Sequence, residues 1–232
     1  LETYHDGTQE VVGTTFIDDC QWDRSVEYTK YGAGSTTFMF NPVNGEICEP
    51  SSGSPTSDQL KSKHPVGGGY YHVQSKVLKL TGTVSAVFWC DQSSTPITKP
   101  IDNKNSCPNA QLYTVFFAPA ENLVRLIRRD IGQTIWISSA RHTAAIGDTL
   151  TWDIFHNPDT GSIKVYVNGS LKITATDTKY KSGYWGVART YVTTPGTSYQ
   201  NIQTIAASPD ATNGIAACIP PIGGGARYGE QE

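Results

Sequence analysis

Methionine and charge are both scarce in this chain, which has one Met and 17% Asp, Glu, Lys and Arg in 232 residues. No CxxC pair occurs among its cysteines, which argues against a zinc ribbon and a dithiol redox centre. No apolar run approaches the length of about 18 residues that a membrane-spanning helix needs, so no membrane partner is expected. HExxH, a phosphate-binding glycine loop and the serine and cysteine nucleophile motifs are all missing. The formal charge of −3 leaves no general nucleic-acid surface. The start, Leu1-Glu2-Thr3-Tyr4, has no basic patch followed by an apolar stretch, so the chain is expected to be the processed form of a secreted protein. Amphipathic helical periodicity is lacking too.

What remains is strand-like almost throughout. Ile163, Val165 and Val167 alternate with Lys164 and Tyr166, the period of two that gives a strand one buried and one solvated face. Asn168-Gly169 then supplies the two positive-φ positions of a type I′ hairpin leading into Leu171 to Ile173. Leu150, Trp152 and Ile154 alternate with Thr149, Thr151 and Asp153, and Asn157-Pro158-Asp159-Thr160-Gly161 makes the turn between these two units. A second hairpin is expected from Leu123–Arg129 and Gln133–Ser138 around Asp130-Ile131-Gly132. Further strands are expected at Tyr70–Leu80, Val84–Cys90, Leu112–Phe117, Tyr184–Tyr191 and Tyr199–Ile205. Turn signals every 8–12 residues or so are the spacing of an antiparallel sandwich or barrel. The length suits a single domain over 1–232, with an extended C-terminal tail from about residue 209. The Ser-, Pro- and Gly-rich stretch from Glu46 to Gly69 reads as a long exposed loop.

The cysteines are Cys20, Cys48, Cys90, Cys107 and Cys218. Cys90 and Cys107 bracket a polar loop and are the first pair to expect. Cys20 with Cys48 then leaves Cys218 over, although Cys218 can replace either partner. Bridges of this kind persist in oxidising compartments, which agrees with a secreted protein. Asn168-Gly169-Ser170 is also a glycosylation sequon, though the turn chemistry alone accounts for it.

Between Gly147 and Ile205 the order of elements resembles a known family. Gly147-Asp148-Thr149-Leu150-Thr151-Trp152-Asp153-Ile154 leads to Val165-Tyr166-Val167-Asn168-Gly169, then Ser182-Gly183-Tyr184-Trp185-Gly186-Val187, then Tyr199-Gln200-Asn201-Ile202-Gln203-Thr204-Ile205. This is similar to the second half of a concanavalin A-like lectin/glucanase domain and covers about a quarter of the chain. The resemblance implies an all-β, two-sheet antiparallel jelly roll, with a closing strand beside the N-terminal one. It also implies a polysaccharide or oligosaccharide partner lying across one sheet. Lectins, glycoside hydrolases and polysaccharide lyases share the scaffold, so function has to come from the site.

The Glu-x-Asp-x-Glu strand of retaining glucanases is absent, and Glu27 and Asp153 are the acidic residues best placed on strands. A polar strand face is present instead: period two puts Tyr70, His72, Gln74 and Lys76 on one side and Tyr71, Val73 and Val77 on the other. β-Elimination from an acidic glycan needs a base, a stabiliser for the developing enolate and an acid for the leaving oxygen. His72-Val73-Gln74 resembles, in reverse, the Gln-x-His strand of jelly-roll polysaccharide lyases, although their arginine-rich first motif and Tyr-Phe-Lys-Ala-Gly strand are not found. On this reading His72 is the base and Tyr191 the acid, with Gln74 and Arg189 as stabilisers. Tyr70, Lys76, Tyr166, Trp185 and Asp153 would hold substrate. A non-catalytic lectin, with Tyr70, Trp136, Tyr166 or Trp185 stacking on sugars, is the second reading. A glycoside hydrolase with an unusual carboxylate pair drawn from Glu27, Asp153 and loop residues is the third. No cofactor is required by any of them. The resemblance implies a site for a structural calcium, with Asp6, Asp18 or Asp210 as its candidate ligands, and a monomer is expected.

Overall fold

The computed structural model describes residues 15–18, 26, 28–32, 39–41, 46–48, 56–63, 65, 69–78, 80, 83–93, 110–192 and 197–205. The strands are β1 (Thr15–Asp18), β2 (Tyr28–Gly32), β3 (Met39–Asn41), β4 (Glu46–Cys48), β5 (Thr56–Ser62), β6 (Gly69–Val77), β7 (Thr83–Asp91) and β8 (Leu112–Ala118). They continue with β9 (Leu123–Asp130), β10 (Gln133–Arg141), β11 (Thr149–Asn157), β12 (Ser162–Val167), β13 (Ser170–Thr176), β14 (Tyr184–Val192) and β15 (Thr197–Ile205). A 3-10 turn, Pro119–Glu121, joins β8 to β9.

These strands form two antiparallel sheets. The first runs β13-β12-β11-β6-β15-β4-β3, with β1 also paired to β15. The second runs β10-β9-β8-β7-β14-β5-β2. Pairing of Thr15 with Ile205 and of Asp18 with Ile202 puts the N-terminal strand beside the closing one, as the resemblance implied. The Asn168-Gly169 turn has φ of 50° and 73°, and it joins β12 to β13 with Val167 opposite Ser170.

Alternation decides what the sandwich buries. Tyr71, Val73 and Val77 of β6, Leu150, Trp152 and Ile154 of β11, and Ile163, Val165 and Val167 of β12 turn inward. They pack against Val87 and Trp89 of β7, Tyr113, Val115 and Phe117 of β8, and Val124 and Leu126 of β9. Each fully buried aliphatic or aromatic side chain here contributes about 1.5–3 kcal/mol, so this interface dominates stability. A second apolar cluster lies on the opposite face of the second sheet, with Ala86, Phe88, Leu112, Phe116, Ile127 and Ala188. β8 is therefore buried on both faces along its whole length, which explains why it reads as a continuous apolar run.

The expected loop from Glu46 to Gly69 is corrected here. Its centre is β5, which pairs with both β2 and β14 inside the second sheet. The strand Thr56-Ser57-Asp58-Gln59-Leu60-Lys61-Ser62 has a single aliphatic residue, and that residue is fully buried. One apolar contact with two flanking ladders suffices, and no period-two pattern marks it. The tail from about residue 209 lies outside the described residues.

Candidate functional site

Register brings the predicted polar face together. Across β6 and β11, His72 stands opposite Asp153, Tyr70 opposite Phe155, Gln74 opposite Thr151 and Lys76 opposite Thr149. Across β11 and β12, Asp153 stands opposite Tyr166 and Phe155 opposite Lys164. Directly paired residues share a face. Their neighbours Tyr71, Val73, Trp152, Ile154 and Val165 fill the core, so this set occupies the outer face of the first sheet.

At its centre is a hydrogen-bonded cluster. His72 Nδ1 lies 2.7 Å from Asp153 Oδ1, and the Tyr70 hydroxyl donates to the same oxygen at 2.6 Å. The hydroxyl is also 3.2 Å from His72 Nδ1. All three residues are buried. A carboxylate only accepts, so it fixes the proton on Nδ1 and leaves the lone pair of His72 on Nε2. Among the described residues, Nε2 has no hydrogen-bond partner. The ring of Phe155 stacks on Tyr70 at 4.8 Å, and Tyr166 meets Phe155 edge-on at 5.8 Å. Three aromatic rings thus step across β6, β11 and β12, ending at the half-buried Tyr166, on the same face as half-buried Gln74, Lys76, Thr151 and Lys164.

The remaining expected site residues go elsewhere. Arg189 and Tyr191 lie on β14, in the second sheet, with Trp185. Trp185 is a core residue, packed edge-on against Tyr28 at 6.1 Å, and offers no surface for a sugar. The expectation that His72 and Tyr191 share a groove is therefore corrected: His72 turns away from the second sheet altogether. Alternation sorted residues to a side of their own strand, but only pairing tells which sheet that strand joins. Tyr70 is likewise no open platform, because it is 3% exposed with its hydroxyl bonded to Asp153. Trp136 is 53% exposed but lies on β10 of the second sheet, with the Arg125 guanidinium 4.7 Å from its ring centroid.

Phe155 and Lys164 were missed as members of the site. The signal was available, since each alternates with core residues that had already been placed inward. Glu27, Asp6 and Asp210 lie outside the described residues, as do Cys20, Cys107 and Cys218. Asp18 sits on β1 and Cys48 on β4. Among the described residues no group of three His, Cys, Asp or Glu side chains converges as a metal site would. Asn168 is exposed, and its Oδ1 accepts the Thr151 N–H at 2.8 Å, which ties the sequon asparagine to the rim of the outer face.

Other ionisable clusters are structural. Arg128 pairs with Asp177 and, through two bonds of 3.0 and 2.9 Å, with Asp130. Tyr113 and Tyr180 donate to Asp177 and Asp130 at 2.6 and 2.7 Å. Burial and these bonds raise both phenols above their ordinary range. Burial pushes the Asp130 carboxyl up, but the hydrogen bonds from Arg128 and Tyr180 outweigh it and hold it low. His156 is packed in the core between Trp89 and Tyr113, with Nδ1 3.6 Å from Cys90 Sγ. Burial depresses it to about 4.

No family model and no curated protein matches the sequence. Solved structures do match in shape. A carbohydrate-binding module CBM66 from Bacillus subtilis aligns with a TM-score of 0.55 and 14% identity, covering 77% of this chain and 95% of that one. A Bacillus licheniformis β-glucanase aligns at 0.57 and 17%, covering 83% and 98%. The lectin UEA-II, complexed with galactose, aligns at 0.58 and 13%, covering 84% and 99%. The fold is that of the concanavalin A-like lectin/glucanase jelly rolls. Within this jelly roll, the outer face of the first sheet combines aromatic rings, hydrogen-bonding groups and an oriented imidazole.

Proposed function

We propose that the domain binds a glycan across the outer face of its first sheet. The observation that carries this is the run of Tyr70, Phe155 and Tyr166 rings across the same face as Gln74, Lys76 and the His72–Asp153 pair. Sugar recognition combines a flat apolar ring for the C–H face of a pyranose with fixed polar groups for its hydroxyls. Tyr166 supplies the ring, Gln74 and Thr151 supply adaptable donors and acceptors, and the buried cluster beneath holds β6 and β11 in register. Similar shapes described as a carbohydrate-binding module, a β-glucanase and a galactose-bound lectin are compatible with this reading. A secreted, monomeric protein belongs with it.

A glycan microarray followed by titration of the strongest ligand tests the reading. Tyr166→Ala is expected to weaken binding by tenfold or more while leaving the melting temperature nearly unchanged. No glycan bound by the wild-type protein, or full affinity in Tyr166→Ala, overturns it.

A second reading, β-elimination from a uronate polymer, is favoured by one feature: Asp153 orients His72 so that Nε2 is the basic nitrogen. Tyr191 has no part in it. Incubation with uronate polymers and measurement of the ultraviolet absorbance of an unsaturated product decides between the two. Product that is lost in His72→Ala supports catalysis, and its absence with every polymer leaves binding alone.

A further inference from the structure

We propose, resting on the glycan-binding reading, that the ligand is an acidic polysaccharide whose negative groups are met by Lys76 and Lys164. The reasoning starts from charge. The chain as a whole carries a formal −3, yet the described charged side chains on the outer face of β6, β11 and β12 are Lys76, Lys164, His72 and Asp153. Asp153 is tied through Oδ1 to both His72 and Tyr70, so its charge faces inward into a buried pair. Among the described residues neither Lys76 nor Lys164 pairs with a carboxylate. Asp148, in the turn before β11, accepts the Ala145 N–H at 2.7 Å and forms no ion pair with either lysine. On these three strands Lys76 and Lys164 are thus the described charges left without an opposite partner among the described residues.

The spacing of the two lysines is set by register. Lys76 lies opposite Thr149, and Lys164 lies opposite Phe155, six residues further along β11. At about 3.3 Å per residue their Cα atoms are separated by roughly 20 Å along the strand direction, and by two further strand spacings across it. Tyr166 and Gln74 fall between them. A single small anion cannot reach both ends, whereas an extended polymer with repeated carboxylates can contact both lysines and stack on Tyr166 midway. Both lysines are half-buried.

Affinity electrophoresis of the whole chain through gels containing polygalacturonate or alginate, each beside its carboxyl-reduced neutral counterpart, tests this. At least one acidic polymer is expected to retard the protein about tenfold more strongly than its reduced form. The retardation is expected to fall as salt screens the charges. The double variant Lys76→Ala/Lys164→Ala is expected to lose about tenfold in affinity with an unchanged melting temperature. Equal retardation by acidic and reduced polymers overturns the acidic class and leaves glycan binding standing. Polyphosphate binding as strong as that of the polyuronates, and indifferent to Tyr166→Ala, reveals plain charge attraction and also overturns it. No retardation by any polymer, acidic or neutral, together with an empty microarray, removes the glycan-binding reading and this inference with it.

Discussion

Replacing His156 with phenylalanine is expected to remove most of the acid sensitivity of this fold above the carboxylate range. His156 ends the inward face of β11, is 2% exposed, and lies against Trp89 and Tyr113. Its Nε2 is buried with no partner among the described residues. Burial holds its pKa at about 4, against 6.5 for the ordinary side chain, with Asp177 opposing the shift only in part. Between those values the unfolded chain binds a proton that the folded chain refuses, so stability is full above pH 6.5 and is lost as pH falls toward 4. At about 1.4 kcal/mol for each tenfold difference in proton affinity, the loss amounts to about 3 kcal/mol. Urea unfolding at closely spaced pH values from 7.5 to 4, on wild type and His156→Phe, measures it. Wild type is expected to lose about 3 kcal/mol more than the variant across that window. His142, also depressed by burial, contributes a slope of the same sign to both proteins and cancels in the difference. Near pH 7.5 the variant should match wild type, because an unsatisfied nitrogen is exchanged for a ring of similar size. Parallel pH profiles for the two proteins would refute the reasoning.

Three other outcomes are expected. Arg128→Met strands the Asp130 and Asp177 carboxylates and should cost about 2 kcal/mol at neutral pH, with a smaller loss below the carboxylate range, where Asp130 protonates. Equal destabilisation at pH 7 and pH 3 would contradict it. Gly186→Ala should cost over about 3 kcal/mol or abolish folding, because its Cβ would sit 2.0 Å from the Leu60 carbonyl oxygen and 2.6 Å from the Phe88 ring. Gly169→Ala, with φ of 73° but nothing within 4 Å, should cost only about 1 kcal/mol in the same thermal melts. The bridge expected from Cys90 to Cys107 is not seen at Cys90, which is fully buried with its Sγ 3.6 Å from His156 Nδ1, and Cys107 lies outside the described residues.

Much of the fold was written locally. The Asn168-Gly169 hairpin, the alternation of Ile163, Val165 and Val167, and the strands from Tyr70 onward followed from side-chain size and turn chemistry, because a period of two needs only neighbouring residues to be read. The same alternation put Tyr70, His72, Gln74 and Lys76 on one side of one strand, and Lys164 and Tyr166 on one side of another. β5 was not legible, since its burial comes from the strands on either side and not from its own composition.

Tertiary structure decided which of those faces meet. Asp153 joins His72 because β11 pairs with β6 in one register, and shifting it by a single residue would turn Asp153 into the core. Arg189 and Tyr191 leave the site because β14 pairs with β7 and β5. A sequence specifies the two sides of each strand through local chemistry. The neighbours of a strand are selected by contacts between residues far apart in the chain, and for His72 that selection separates a catalytic dyad with Tyr191 from a hydrogen-bonded cluster with Tyr70 and Asp153.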